Sequence, residues 1–197
     1  MKYLVFVVAA LVATGCAEEP AQASDTPPNT NATLVVAGGC FWCVESDFEK
    51  LDAVGDVLAG YAGGQSQSPT YQNHSDHLEV VQIPYDNTQV SYKALVDYLL
   101  RHIDPLDAGG QFCDRGHSYT TAIFYSTPEE LASAQAAIAE AEEVLGQAVA
   151  TQIVALDRFW IAEDYHQDYY KKNPLRYKYY RNGCGRDQRV AQVWGSQ

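Results

Sequence analysis

Residues 34–51 read Leu34-Val35-Val36-Ala37-Gly38-Gly39-Cys40-Phe41-Trp42-Cys43-Val44-Glu45-Ser46-Asp47-Phe48-Glu49-Lys50-Leu51. Four apolar residues closed by two glycines predict a short buried strand and a tight turn. Apolar residues then recur at 41, 44, 48 and 51, which predicts a helix from Cys40 to Leu51. Cys40 therefore sits where a strand hands over to a helix N-terminus. That terminus presents unpaired N–H groups and a partial positive charge, and both favour an anion. The thiolate is the reactive form of cysteine, so the sequence predicts a lowered pKa at Cys40. Gly38 and Gly39 let the backbone approach closely and leave the sulfur accessible. Phe41 and Trp42 predict an apolar cup able to hold a methyl-bearing group, or else two ordinary core residues.

Outward from this stretch, Val57–Ala62 predicts a second strand, closed by Gly63-Gly64. Residues 65–76 form a polar loop, and His77–Tyr85 is a strand rich in Val and Ile. Ser91 caps a helix that runs to His102, where Asp104-Pro105 stops it. Residues 107–117 are a glycine-containing loop, and Ser118–Tyr125 is a strand. Thr127-Pro128-Glu129-Glu130 starts a helix that ends at Leu145 before Gly146. Val149–Leu156 is the last strand. Phe159–Tyr180 is dense in aromatics, and the glycine-flanked Cys184 begins a mobile tail. Helices and strands mixed in this way predict an α+β domain.

The chain has 197 residues and a net charge of −12. That length fits one domain, and the acidic balance disfavours nucleic acid. Residues 1–15 read as a signal peptide: a Lys2 start, an apolar run too short to span a bilayer, and small residues before Cys16. The small-small-Cys ending predicts a lipoprotein, with Cys16 lipidated as the only membrane attachment. Residues 16–32 have no apolar periodicity and read as a disordered tether. Residues 33–197 are read as the folded domain. The expected location is thus the cell envelope or periplasm of a bacterium, with a monomer as the default.

Cysteines stand at 16, 40, 43, 113 and 184. Four of them could make two structural disulfides in an oxidising compartment. The histidines 74, 77, 102, 117 and 166 give no metal-ligand spacing with Cys40-x-x-Cys43, so no metal is expected. In the strand His77–Tyr85, alternation places Glu79 on the face of Val81 and Ile83. A carboxyl there is desolvated and its pKa rises, which keeps it a proton donor near neutral pH. An edge-strand glutamate facing water is the alternative. Tyr71, Tyr119 and Tyr125 are candidates among 14 tyrosines.

Several segments resemble the A type of peptide methionine sulfoxide reductases, which act on the S-sulfoxide. They are Gly39-Cys40-Phe41-Trp42 with Glu45, Gly60-Tyr61-Ala62-Gly63-Gly64, Pro69-Thr70-Tyr71 and His77-Leu78-Glu79-Val80-Val81. Asp114-Arg115-Gly116 with Tyr119, and Glu163-Asp164-Tyr165-His166, follow in the same order. Each motif alone is weak, but six in order are specific. The resemblance implies a two-layer sandwich with a mixed sheet, a ferredoxin-like core, long loops and a coiled C-terminal tail. It implies that Cys40 attacks the sulfoxide sulfur, that Glu79 protonates the departing oxygen, and that Tyr71 and Tyr119 hydrogen-bond that oxygen. Phe41 and Trp42 would hold the S-methyl group, and Asp114 would orient the substrate. The sulfenic acid left on Cys40 would condense with a second cysteine, and a thioredoxin-like donor would reduce that disulfide, with no cofactor. Cys184 is favoured as the second cysteine on reach, with Cys43 and Cys113 as the other possibilities. Cys43 stands where the family often has Gly, and the 71–79 loop lacks its common Cys-Ser-Gly. Two rival readings stay open on sequence: a disulfide oxidoreductase using Cys40-x-x-Cys43, and a surface lipoprotein that binds a partner through its aromatics.

Overall fold

The computed structural model describes residues 29–195. The signal segment, Cys16 and most of the tether lie outside the described residues. Strand β1 (Ala32–Gly38) leads into helix α1 (Phe41–Phe48). Strands β2 (Leu58–Ala62) and β3 (Leu78–Tyr85) precede helix α2 (Tyr92–Arg101). A small ribbon follows, β4 (Gly110–Gln111) and β5 (Asp114–Arg115). Then come β6 (Thr121–Tyr125), α3 (Pro128–Leu145), β7 (Gln152–Ala155) and β8 (Trp160–Ile161). Helices α4 (Tyr169–Lys172), α5 (Pro174–Gly183) and α6 (Arg186–Trp194) close the chain.

The main sheet has the order β7-β6-β1-β3-β2-β8, with β6 and β7 parallel and the other pairs antiparallel. Its heart, β6-β1-β3-β2, with α1 after β1 and α2 after β3, is the split βαβ pattern of ferredoxin-like domains. The expected α+β class, mixed sheet and ferredoxin-like core are all present. One face of β1 and β3 (Leu34, Val36, Val81, Ile83) packs on Phe41, Val44 and Phe48 of α1 and on Leu95, Val96 and Leu99 of α2. Each such side chain, fully buried, contributes about 1.5–3 kcal/mol of apolar transfer. The opposite face (Val35, Ala37, Val80, Ala122, Phe124) is covered by partly buried Val154, Leu156 and Phe159.

The helix starts follow their sequence signals. Ser91 accepts from Ala94 N at 3.1 Å, and Thr127 accepts from Glu130 N at 3.2 Å. Gly146 ends α3 in a left-handed conformation. Three expectations are corrected. Helix α1 stops at Phe48, three residues short of Leu51. The first part of the expected strand 118–125 is a single 3-10 turn, His117–Tyr119, so β6 begins at Thr121. The tail after Tyr180 is not coiled but helical, because Arg186 is 2 % exposed and anchors it to the core.

Candidate active site

Cys40 is the N-cap residue of α1, as the sequence predicted, but its side chain makes no capping bond. Gly39 turns the chain into it with φ of +82°, a conformation glycine adopts freely. A Cβ at Gly39 would lie 2.5 Å from Gln111 Cβ. Gln111 is itself fully buried and clamps Asp104, accepting from its N–H at 2.9 Å and donating to its carbonyl at 2.7 Å. The turn before Cys40 is therefore packed tightly against Gln111.

The first free N–H of α1 goes to Glu79. Phe41 N donates to Glu79 Oε2 at 3.1 Å. Glu79 projects from β3 onto the α1 face, beside Val81, as alternation predicted, and is 1 % exposed. Its Oε1 is buried without a hydrogen-bond partner, and His74 Nε2 lies 3.8 Å from it. Burial raises the Glu79 carboxyl to about 8, opposed by the Phe41 N–H and assisted by the charge of Asp114. A carboxyl in this state is protonated at neutral pH. Oε2 accepts from Phe41, which leaves Oε1 as the oxygen free to donate when the carboxyl is protonated.

The expected lowering at Cys40 is reversed. Burial pushes its thiol well up, and the Cys43 thiol and the nearby Glu79 act in the same direction. Cys43 is the one held down, to about 7, by a hydrogen bond from Cys40 and by the charges of Arg186 and Arg181.

Tyr71 and Tyr119 stand together near Glu79. Burial raises both hydroxyls, and the charge of Glu79 raises them further. Tyr71 is 40 % exposed and forms the open rim. Its backbone is fixed by Glu163, whose Oε1 accepts from Tyr71 N at 2.9 Å and whose Oε2 accepts from Tyr61 Oη at 3.0 Å. Trp42 is half-buried, stacks on Tyr169 at 3.7 Å and donates Nε1–H to His166 Nδ1 at 3.1 Å. Phe41 is 1 % exposed, wedged between His166 at 4.8 Å and Tyr61 at 6.0 Å. Asp114 is half-buried and takes a hydrogen bond from Tyr180 Oη, which is also within hydrogen-bonding reach of the Cys40 sulfur.

A family model described as peptide methionine sulfoxide reductase matches residues 32–197. The chain belongs to the peptide methionine sulfoxide reductase family. It is similar to peptide methionine sulfoxide reductase MsrA 2 of Rhizobium meliloti, 49% identical over 165 residues that cover 83% of each chain. It also resembles MsrA 2 of Caulobacter vibrioides, 41% identical over 99% of this chain and 100% of that one. Among solved structures it resembles Mxr1 of Saccharomyces cerevisiae in reduced form, with a TM-score of 0.70 at 29% identity, covering 75% of this chain and 88% of that one. Methionine sulfoxide reductase A of Corynebacterium diphtheriae matches with a TM-score of 0.65 at 26% identity, covering 80% and 87%.

Within this reductase domain, Cys40, Glu79, Tyr71, Tyr119, Asp114, Phe41 and Trp42 are brought into one neighbourhood. Cys184 is not free. It is bonded to Cys113, 71 residues earlier, with Cα atoms 5.0 Å apart, while Cys40 and Cys43 are free and buried. The expectation of a loose tail delivering Cys184 to Cys40 therefore meets a helical tail and an existing bond. Four residues escaped the sequence reading: Tyr180, Glu163, His74 and Arg186. Glu163 and His166 lay in a quoted motif, but nothing local assigned them. Arg186 is buried, donates to Gly38 O at 3.2 Å and to His102 O at 3.0 Å, and faces Asp47 Oδ2 at 3.8 Å. The acidic group Glu45, Glu49 and Asp168 is answered by Lys171, at 2.5 Å from Glu49 and 2.7 Å from Asp168.

Proposed function

We propose that this domain reduces methionine S-sulfoxide, free or in proteins, to methionine, with Cys40 as the attacking sulfur and Glu79 as the proton donor. The observation that carries this reading is the buried Oε1 of Glu79, without a hydrogen-bond partner, on a carboxyl bonded to the residue that follows Cys40, where burial raises its pKa. Oxide is a poor leaving group, so the sulfoxide oxygen must be protonated as its sulfur is attacked. Tyr71 and Tyr119 supply two hydroxyls to hold that oxygen, and Trp42 offers an aromatic wall to the methyl group. Asp114 orients the substrate from the side of Tyr180. The products are methionine and a Cys40 sulfenic acid, which condenses with a second thiol and releases water. A thioredoxin-like dithiol then reduces the resulting disulfide by exchange. The test is turnover of a methyl sulfoxide with dithiothreitol as donor. Activity is expected in the parent and none in Cys40→Ser; activity persisting in Cys40→Ser sinks the assignment.

The amino-terminal reading extends this to the cell envelope: an exported protein, lipidated on Cys16 and tethered by residues 16–32, that repairs oxidised methionine there. Acyl labelling of the expressed protein, lost in Cys16→Ala, is the expected result. An unlabelled parent rejects the anchor.

A further inference from the structure

The structure assigns to Cys43 the role of resolving cysteine: it condenses with the Cys40 sulfenic acid to form a Cys40–Cys43 disulfide inside α1. This rests on the reductase reading above and names the thiol that reading leaves open.

The two cysteines are adjacent on the first turn of α1. Cys40 is the N-cap of α1 and Cys43 its third residue, and Cys43 N donates to Cys40 O at 3.1 Å. The two side chains lie one helical turn apart at the start of α1. One cysteine at a helix start and the other three residues on is also the placement used by C-x-x-C redox pairs. Closing the bond therefore needs a side-chain rotation, not movement of an element. Both residues are buried, at 6 % and 2 % exposure, so the sulfenic acid forms in contact with this thiol and away from solvent.

The alternatives are spoken for. Cys113 and Cys184 are bonded to each other, and Cys184 is held between α5 and α6, its N–H donating to Tyr180 O at 2.9 Å. Cys43 also has the electrostatics of an attacking sulfur. Cys40 favours its anion most, followed by Arg186 and Arg181, against burial and the charge of Asp47. The step balances as Cys40–SOH plus Cys43–SH giving the disulfide and water. The sulfenic sulfur is reduced and the Cys43 sulfur is oxidised.

The test uses the full chain, reduced beforehand and freed of reductant, then mixed with one equivalent of a methionine sulfoxide peptide. Acid quenching, alkylation and peptide mass mapping locate the new bond. The expected product is a Cys40–Cys43 link, formed equally in a Cys113→Ser/Cys184→Ser chain. In Cys43→Ser, loss of the adjacent thiol should slow disappearance of the sulfenic acid, trapped with dimedone, by about tenfold or more. A bond from Cys40 to Cys113 or Cys184 in the parent, with Cys43 still alkylated, overturns the role of Cys43 alone. Failure to form any methionine overturns the reductase reading with it, so the two failures are distinguishable.

Discussion

The backbone N–H of Phe41 donates to Glu79 Oε2 at 3.1 Å, across 38 residues of sequence. This bond joins the nucleophile's own turn to the acid on β3. It spends the first orphan donor of α1 on a carboxyl that is otherwise fully desolvated. Burial is the main cause that raises both Cys40 and Glu79, and the charge of Glu79 raises the Cys40 thiol further.

Glu79 must be protonated to act, and its raised pKa of about 8 fixes the sign. Below that value the donor is present; as pH rises through it the donor is lost. Because the Cys40 thiol is raised as well and its anion is the attacking form, single-turnover methionine formation should climb with pH and level off near pH 8, where Glu79 begins to ionise. In Glu79→Gln the rate should fall about 100-fold or more, the size of a lost general acid, and the break near pH 8 should vanish. Quenched-flow rates across the pH range check this, with circular dichroism to confirm the fold.

Tyr180 Oη is bonded to Asp114 and within reach of the Cys40 sulfur. Its one proton can turn to the sulfur when that sulfur is an anion. Tyr180→Phe should raise the Cys40 pKa further, since a hydrogen bond to a charged group contributes about 1.5–3 kcal/mol. Iodoacetamide labelling of Cys40 at fixed pH should slow by about tenfold or more, because about 1.4 kcal/mol is tenfold.

Asp47 is buried at 1 % exposure and lies 2.9 Å from Arg181 and 3.8 Å from Arg186. Burial would raise its pKa, but the two guanidinium groups outweigh that and lower it. A lowered carboxyl stabilises the fold above the unfolded pKa, near 4, and loses that contribution as pH falls through its folded value. Arg186→Ala should cost about 3 kcal/mol in urea unfolding at pH 7, with a shallower decline on acidification.

Gly39→Ala places a Cβ 2.5 Å from Gln111 Cβ at a φ of +82°. The turn must shift, at a cost of about 1–3 kcal/mol for backbone strain alone. Thermal unfolding should fall accordingly, and sulfoxide turnover should fall by more than the stability loss explains, since Cys40 moves with the turn.

Local signals carried most of the fold. The 34–51 stretch, the Ser91 and Thr127 caps and the alternation in β3 were legible because each is a short-range pattern. The Cys40–Glu79 pairing was legible only as two separate features, and the bond between Phe41 and Glu79 was not. The C-terminal helices were missed because glycines and aromatics hide a weak apolar face. Their hold on the core combines the packing of Tyr180 and Trp194 with polar links from Arg181 and Arg186 to residues more than 80 positions away. The direction of the Cys40 pKa was misread for a similar reason. Helix-end electrostatics is visible in sequence, whereas complete burial and a competing carboxyl are not.

The central claim is that the Cys40 sulfur takes the oxidising equivalent from a methyl sulfoxide. The most direct measurement is trapping with dimedone during one turnover, in a chain whose Cys43, Cys113 and Cys184 are serine. The account expects one methionine per chain and a dimedone adduct on Cys40. Methionine formed without that adduct, or formed equally when Cys40 is also serine, would contradict it.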